Sequence, residues 1–187
     1  MPTALVTGSA GFIGFHVSKA LLDDGWRVIG LDCLTEYCDV SLKEAREQVL
    51  LMHPAYKSIR ARLESQTTLL ELFESEAPEV VIHLAAQAGV RYSIDNPRAF
   101  VESNVFGTLE LLDAARAHPP RHLLIASSSS VYGAEEEMPY REQVKTDRQL
   151  SVYAASKKSV ESLSHAYAHL FDLPTTVFRF FTVYGPW

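Results

Sequence analysis

The chain has 187 residues, 47% of them hydrophobic and 21% charged, and a formal net charge of −6. That is enough for one globular domain with a substantial core. The acidic balance excludes the basic stripe of a nucleic-acid footprint, and no stretch reaches the roughly 18 consecutive apolar residues of a membrane span.

Predicted strands and helices alternate along the chain. The opening MPTALVTGSAGFIG has no basic leader and no small-residue cleavage site, and TALVTG reads as a short buried strand. GFIGFHVSKALLDDG has helical periodicity and stops at Gly25. WRVIGLD is a second strand, VSLKEAREQVLLMH a helix halted before Pro54, YKSIRARL a weak third strand, and QTTLLELFESE a helix ended by Ala77-Pro78. EVVIHLAA is a fourth strand. NPRAFVESNVFGTLELLDAARAH is one long helix with Pro97 at its start. HLLIASSSS is a fifth strand running into serines. A polar loop, 133–150, carries Glu135, Glu136 and Glu137 and reads as a solvated, mobile face. The helix VYAASKKSVESLSHAYAHL and a sixth strand, PTTVFRFFTV, follow.

This alternation, with crossover-length connections, predicts an α/β fold. The expected architecture is a doubly wound parallel sheet of order 3-2-1-4-5-6, formed by residues 1–187 as one domain, with ligands at the carboxyl ends of the strands. Cys33 and Cys38, in CLTEYC, match neither a zinc knuckle nor a redox pair and read as free thiols of a reducing cytoplasm. His165 and His169 stand i, i+4 without a glutamate base or third ligand, so no metal site is expected. His83 reads as buried packing.

Gly8, Gly11 and Gly14 fall between the first strand and the first helix. Glycine permits a sharp turn and lets a diphosphate approach bare N–H groups at the positive end of a helix. The spacing is G-x-x-G-x-x-G rather than the standard G-x-G-x-x-G, but its place between strand and helix points to dinucleotide binding. Asp32 ends the second strand, 18 residues past Gly14. A carboxylate there can accept from both hydroxyls of an adenosine ribose. It repels a 2′-phosphate, and Cys33 beside it brings no cation, which favours NAD over NADP.

The fifth strand delivers Ser127 to Ser130 to the same edge, and Tyr153 and Lys157 open the next helix one turn apart. A free phenol titrates near pH 10, and shifting it by about 3 units takes roughly 4 kcal/mol. An ammonium about 4 Å away, at an effective dielectric near 20, supplies about that much. Lys157 can therefore make Tyr153 a proton acceptor beside a nicotinamide, with a serine hydroxyl orienting the substrate oxygen.

Taken together, TGSAGFIG, Asp32, HLAAQAGVRYS, Asn104 in NVFGT, SSSSVYG, YAASK and RFFTVYG resemble the extended short-chain dehydrogenase/reductase superfamily, the NAD-dependent nucleotide-sugar epimerases and dehydratases. The resemblance covers nearly the whole chain in the family's order. It implies a catalytic triad of Ser128, Tyr153 and Lys157. It also implies a cofactor path along Gly8, Gly11, Phe12, Ile13, Gly14, Asp32, Leu84, Ala85, Ala86, Asn104, Tyr153, Lys157 and Phe181. Dehydratases of the superfamily carry an Asp-Glu pair, and UDP-glucuronate decarboxylases a glutamate, where this chain has Ser129 and Ser130. VRYSIDNP and RFFTVYGPW look most like the UDP-glucuronate 4-epimerases. In that subgroup Ser129, Ser130 and Thr182 would cradle the sugar carboxylate, and Arg91 is a candidate cation near the substrate. The implied reaction is epimerisation at C4 through a transient 4-keto sugar. Another nucleotide-sugar epimerase, a decarboxylase and a non-catalytic NAD-binding module are the alternatives.

Two positions depart from the family pattern. Cys33 stands where asparagine is usual beside the ribose, and Arg62 where an aspartate usually meets the adenine, a loss on the order of 1 kcal/mol in NAD affinity. Family members also continue well beyond VYGPW, so the chain is expected to be a fragment of a two-domain enzyme that binds NAD without epimerising sugars alone. The two long helices around 97–117 and 152–170 are those that pair across a homodimer in this family.

Overall fold

The computed structural model describes residues 1–187. Six strands form one parallel sheet: β1 (Thr3–Thr7), β2 (Arg27–Asp32), β3 (Tyr56–Arg60), β4 (Val80–His83), β5 (His122–Ser128) and β6 (Thr175–Phe180). Their order across the sheet is β3-β2-β1-β4-β5-β6, as the alternating pattern requires. β1 lies at the switch point, with Leu5 level with Ile29 of β2 and Val81 of β4.

Successive strand residues face opposite sides of the sheet, and both sides of its centre are covered, so β1, β2 and β4 are mainly apolar, while the edge strands β3 and β6 carry polar, partly exposed residues. On one side Leu5, Ile29, Val81, Leu123 and Ile125 pack under α3 (Gln66–Glu76), α6 (Gly107–Ala117) and α7 (Val152–Phe171) through Leu69, Phe73, Leu111 and Val160. On the other, Val6 and Val28 meet α1 (Phe12–Asp23) and α2 (Val40–Leu51) through Phe15, Leu22 and Leu50.

Two features differ from the sequence reading. A short helix, α4 (Tyr92–Asp95), follows β4, and the long helix is not uniform. It runs as α5 (Pro97–Phe100), a π-helical stretch Val101–Phe106, and α6. The wide turn ends at Gly107, where a Cβ would come within 2.8 Å of the Leu63 Cβ, so close approach to the β3–α3 connection requires glycine there. Ser128 is followed by a single 3-10 turn, Ser129–Tyr132.

The carboxyl ends of β1 and β4 are joined by a buried polar chain. The Ala85 N–H donates to Thr7 Oγ1 at 3.2 Å, and Thr7 Oγ1 lies 2.8 Å from His83 Nδ1. His83 Nε2 lies 3.0 Å from Thr108 Oγ1. Burial first, then the charge of Lys157, pushes the His83 pKa from 6.5 down to about 3. A depressed folded-state value means that stability is fully present above pH 6.5 and drains away as the pH falls toward 3. Urea denaturation of wild type should lose stability on that limb at up to about 1.4 kcal/mol per pH unit from this residue. His83→Gln should show a visibly shallower acid limb, and identical slopes would remove His83 as its source.

Candidate active site

The turn after β1 is set by backbone contact. Gly8 adopts a φ of +72°, and its N–H donates to the Leu31 carbonyl at 2.7 Å, hanging the turn on β2. A Cβ on Gly8 would meet the Ala85 nitrogen at 2.8 Å, and one on Gly14 would sit 2.0 Å from the Gly8 carbonyl oxygen. Only glycine at both places lets α1 rest on the turn and the turn rest on the β4 end. Gly11 starts α1 with no side-chain cap and no acidic residue in the first turn, so the helix N–H groups and its positive end stay open to an anion.

A cleft at the ends of β2 and β3 runs from this turn and contains Asp32, Cys33, Tyr37, Cys38, Lys43, Arg62, Glu64, Ala85 and Gln87. Asp32 organises its near wall. One carboxylate oxygen accepts from the Ala10 N–H at 3.1 Å, the other from the Leu34 N–H at 2.8 Å. Leu34 sits at a φ of +48°, unfavourable for leucine, and Asp32 clamps it there. Four acceptor positions on a carboxylate leave room for ribose hydroxyls. Tyr37 closes the outer wall: its ring lies 4.8 Å from that of Tyr92, and its hydroxyl occupies space that a Cβ on Gly89 would enter at 2.1 Å. Partial burial, then the Asp32 charge, raises the Cys33 pKa, although the residue stays exposed at the cleft.

A second cleft on the other side of the glycine turn holds Phe12, Ile13, Gly14, Ser127, Ser128, Tyr153, Lys157 and Phe181. Gly8, Gly11, Leu84, Ala86 and Ala88 line both clefts, so the two form one crevice across the switch point. α7 starts where Ser151 Oγ accepts from the Ala154 N–H at 3.1 Å, which sets Tyr153 in the first turn and Lys157 in the second. Lys157 is buried, and its ammonium donates to the Ala126 carbonyl of β5 at 2.8 Å. Burial pushes the Lys157 pKa down from 10.5 to about 8. Ser128 Oγ accepts from the Ser130 N–H at 3.2 Å and so shapes the 3-10 turn.

Ser127, one of the four serines the fifth strand brings to this edge, lines the cleft but bonds away from it. Its hydroxyl donates to Glu161 at 2.7 Å, and Arg179 of β6 holds both oxygens of that carboxylate at 2.8 and 2.9 Å. Burial favours the neutral acid, but the hydrogen bonds from Arg179 and Ser127 outweigh it and keep the Glu161 pKa below the usual range. Lys43 was missed: although Cys33 brings no cation, Lys43 and Arg62 both line the cleft that holds Asp32. The signal was available, since Lys43, Arg46, Glu47 and Leu50 recur at helical spacing and all four are buried.

The other sequence candidates lie as follows. Asn104, in the π-helical stretch, is buried behind the crevice wall. Its amide accepts from the Gln87 N–H at 2.7 Å and donates to the Gln87 carbonyl at 3.0 Å and to Ser156 Oγ at 2.9 Å, so it ties the β4 loop to α7. Ser129 and Ser130 are half-buried in the 3-10 turn beside Ser128, and Thr182 is exposed between the cleft residues Phe181 and Val183. Arg91 is exposed just before α4 and lines neither cleft. No group of three His, Cys, Asp or Glu side chains is arranged to hold a metal, and no helix is long and apolar enough to cross a membrane.

A glycine turn at the switch point of a parallel sheet, an acid ending β2, and a serine, tyrosine and lysine sharing the far cleft define a Rossmann-type domain of the short-chain dehydrogenase/reductase kind. The chain belongs to the NAD dependent epimerase/dehydratase family, whose sequence model matches residues 4–187. It is 52% identical over 183 residues to a probable UDP-glucuronate 4-epimerase of Rhizobium meliloti, covering 98% of this chain and 54% of that protein. It is 49% identical over 183 residues to protein CapI of Staphylococcus aureus, again covering 98% of this chain and 54% of the relative. Among solved structures, the UDP-glucuronic acid 4-epimerase of Bacillus cereus in complex with UDP-glucuronic acid and NAD superposes with a TM-score of 0.92 at 36% identity, over 98% of this chain and 58% of that one. The chain thus spans a little over half the length of these relatives.

The environment of Lys157 has a measurable signature. A folded-state pKa below the unfolded one means that the residue's contribution is fully present above about pH 10.5 and is lost as the pH falls through about 8. The charged form therefore destabilises the fold near neutrality, on the order of 3 kcal/mol, partly offset by about 1 kcal/mol from its hydrogen bond. Lys157→Met should be more stable than wild type at pH 7 by on the order of 2 kcal/mol. That gain should vanish above pH 10. A destabilised variant at pH 7 would contradict the assignment.

Proposed function

We propose that this chain binds NAD along the crevice, adenosine toward Asp32 and nicotinamide toward Tyr153. We further propose that, in a protein of its relatives' length, it serves a 4-epimerase acting on a UDP-glucuronate-type nucleotide sugar. The observation that carries this reading is the continuity of the crevice: Asp32, the glycine turn, and the Ser128, Tyr153 and Lys157 cluster line one channel. The residues fit the cofactor. The glycines at 8 and 14 let the turn pack against the β4 end and α1, the first turn of α1 carries no acid or side-chain cap to compete with a diphosphate, and Asp32 keeps acceptor positions free beyond its two backbone bonds.

Bound NAD would supply the acceptor and donor of hydride at the sugar C4. Tyr153 would take the proton of the 4-hydroxyl and return it. Ser128 would hold the sugar oxygen. The Lys157 ammonium, pinned on Ala126 in the same cleft, would stabilise negative charge developing on the Tyr153 oxygen during that transfer. Ser129 and Ser130 put hydroxyls rather than carboxylates next to Ser128, which supports epimerisation over dehydration. With Thr182 they would cradle the sugar carboxylate, with Arg91 as a further cation.

Residues 1–187 would then be the NAD-binding domain of a two-domain enzyme. Val101, Phe106 and Leu170 are exposed on the two long helical segments and would form a homodimer face there. The free thiols Cys33 and Cys38 agree with a cytoplasmic setting.

NAD⁺ should raise the melting temperature of the 187-residue chain, read by calorimetry. In a chain extended to the relatives' length, Tyr153→Phe should lower turnover of UDP-glucuronate by at least about 100-fold with little change in NAD⁺ affinity. Unchanged turnover would remove Tyr153 from the chemistry.

A further inference from the structure

The polar composition of loop 133–150 predicts a solvated, mobile face, yet the fold ties the loop down beside the nicotinamide-side cleft. Its neck is closed where the Ala134 N–H donates to the Arg148 carbonyl at 3.3 Å, and a Cβ on Gly133 would meet that same oxygen at 2.0 Å. Inside the loop, the Tyr140 ring stacks on Tyr132 of the 3-10 turn, with 4.4 Å between centroids and 9° between planes. It also lies 6.1 Å from the ring of the cleft residue Phe181. Two cations hold the remaining length. Arg179 of β6 donates to the Glu142 carbonyl at 3.2 Å, and Lys158 of α7 donates to Thr146 Oγ1 at 2.7 Å.

Both cations converge on one carboxylate. Arg179 grips the two oxygens of Glu161 at 2.8 and 2.9 Å, and Lys158 lies 3.7 Å from it. The Glu161 side chain is 11% exposed and that of Arg179 17%, so little water competes for the pair. A planar fork held through two of its nitrogens also fixes where the third points, which is at Glu142. The same guanidinium lies 4.9 Å over the Tyr132 ring, so the 3-10 turn rests on it too. Ser127, one residue before Ser128, donates to Glu161 from β5. Glu161 follows Lys157 by one turn of α7. It therefore joins β5, α7 and β6 to the turn that bears Ser129 and Ser130 and to the loop beyond, while lining neither cleft.

We propose that Glu161 is a positioning residue for the sugar side of the site: through Arg179 and Lys158 it holds the turn 129–132 and the loop 133–150 beside the cleft that contains Ser128 and Tyr153. The inference rests on the epimerase reading for the sugar. It goes beyond that reading by assigning the shape of the sugar wall to a carboxylate behind it.

The test begins with limited trypsin digestion of the 187-residue chain, in which Arg141 and Lys145 are exposed in the loop and Lys19 is exposed on α1. Glu161→Gln should quicken cleavage after Arg141 and Lys145 by at least about tenfold, because cutting follows the population of the opened loop. Cleavage after Lys19 and the calorimetric NAD⁺ affinity should stay within about threefold of wild type. In a chain extended to the relatives' length, the same variant should raise the KM for UDP-glucuronate by at least about tenfold. Equal acceleration at Lys19, or a matching loss of NAD⁺ affinity, would mean general loosening and overturn the proposal. An unchanged loop, or an unchanged KM with a faster-cut loop, would overturn it as well. Should Glu161→Gln fail to fold, Arg179→Lys decides. It keeps a charge opposite Glu161 but loses the arm to Glu142, so cleavage should quicken after Arg141 and not after Lys19, and equal rates refute the clamp. An extended wild-type chain that turns over no UDP-glucuronate would strike the epimerase reading and leave the digestion to judge Glu161.

Discussion

A buried ammonium joins the two elements that carry the chemistry. Lys157 of α7 donates to the Ala126 carbonyl near the end of β5, two residues before Ser128. The bond fixes the second turn of α7 against the strand, and therefore fixes Tyr153, one turn earlier, over the cleft that Ser128 lines. No carboxylate shares the ammonium. Packing alone would be served better by an apolar side chain of that length, because desolvating a charge works against folding. The same desolvation strengthens the field of the charge on anything beside it, since little solvent screens it. The desolvated charge lines the same cleft as Tyr153.

A similar opposition shapes the cofactor side. The inward face of α2 would ordinarily be apolar, yet it carries Lys43, Arg46, Glu47 and Leu50. Glu47 is held by Ser58 at 2.5 Å and by Arg60, which satisfies its charge within the fold. Arg46 packs against the Phe12 ring at 5.9 Å and reaches the Ala10 carbonyl at 3.4 Å, bracing the glycine turn from behind. Lys43, which lines the crevice, is held instead by the Thr35 carbonyl and hydroxyl. The helix is built as much to set charges around the turn as to fill a core.

The strand order was legible because a doubly covered parallel sheet imposes continuous apolar strands separated by amphipathic helices, and that rhythm survives in the sequence. The glycines and Asp32 were legible because their chemistry is tied to fixed places, the first turn and the end of the second strand. The π-helical stretch at Val101–Phe106 was not, since one widened turn leaves the apolar periodicity nearly intact. The place of Lys43 and the bond of Ser127 were not, for a different reason. Both depend on which neighbours the side chains meet, Thr35 in one case and Glu161 in the other, and those neighbours are set by the fold. Asn104 shows the converse: its motif drew it toward the cofactor, while its amide is spent on the Gln87 backbone and Ser156.

Binding and turnover separate along the same physical line. Both halves of the crevice are walled by residues between Gly8 and Val183, so a dinucleotide would find its turn, its ribose acid and its nicotinamide cleft within this chain. The groups proposed for the sugar are placed differently. Thr182 and Arg91 are exposed, and Ser129 and Ser130 are only half-buried. An exposed hydroxyl or guanidinium hydrogen-bonds to water as well as to a ligand, so it gives little net affinity until something excludes that water. The crevice proposed for the cofactor is organised by the fold described here, whereas the hydroxyls proposed for the sugar at 129, 130 and 182 remain in contact with solvent in it.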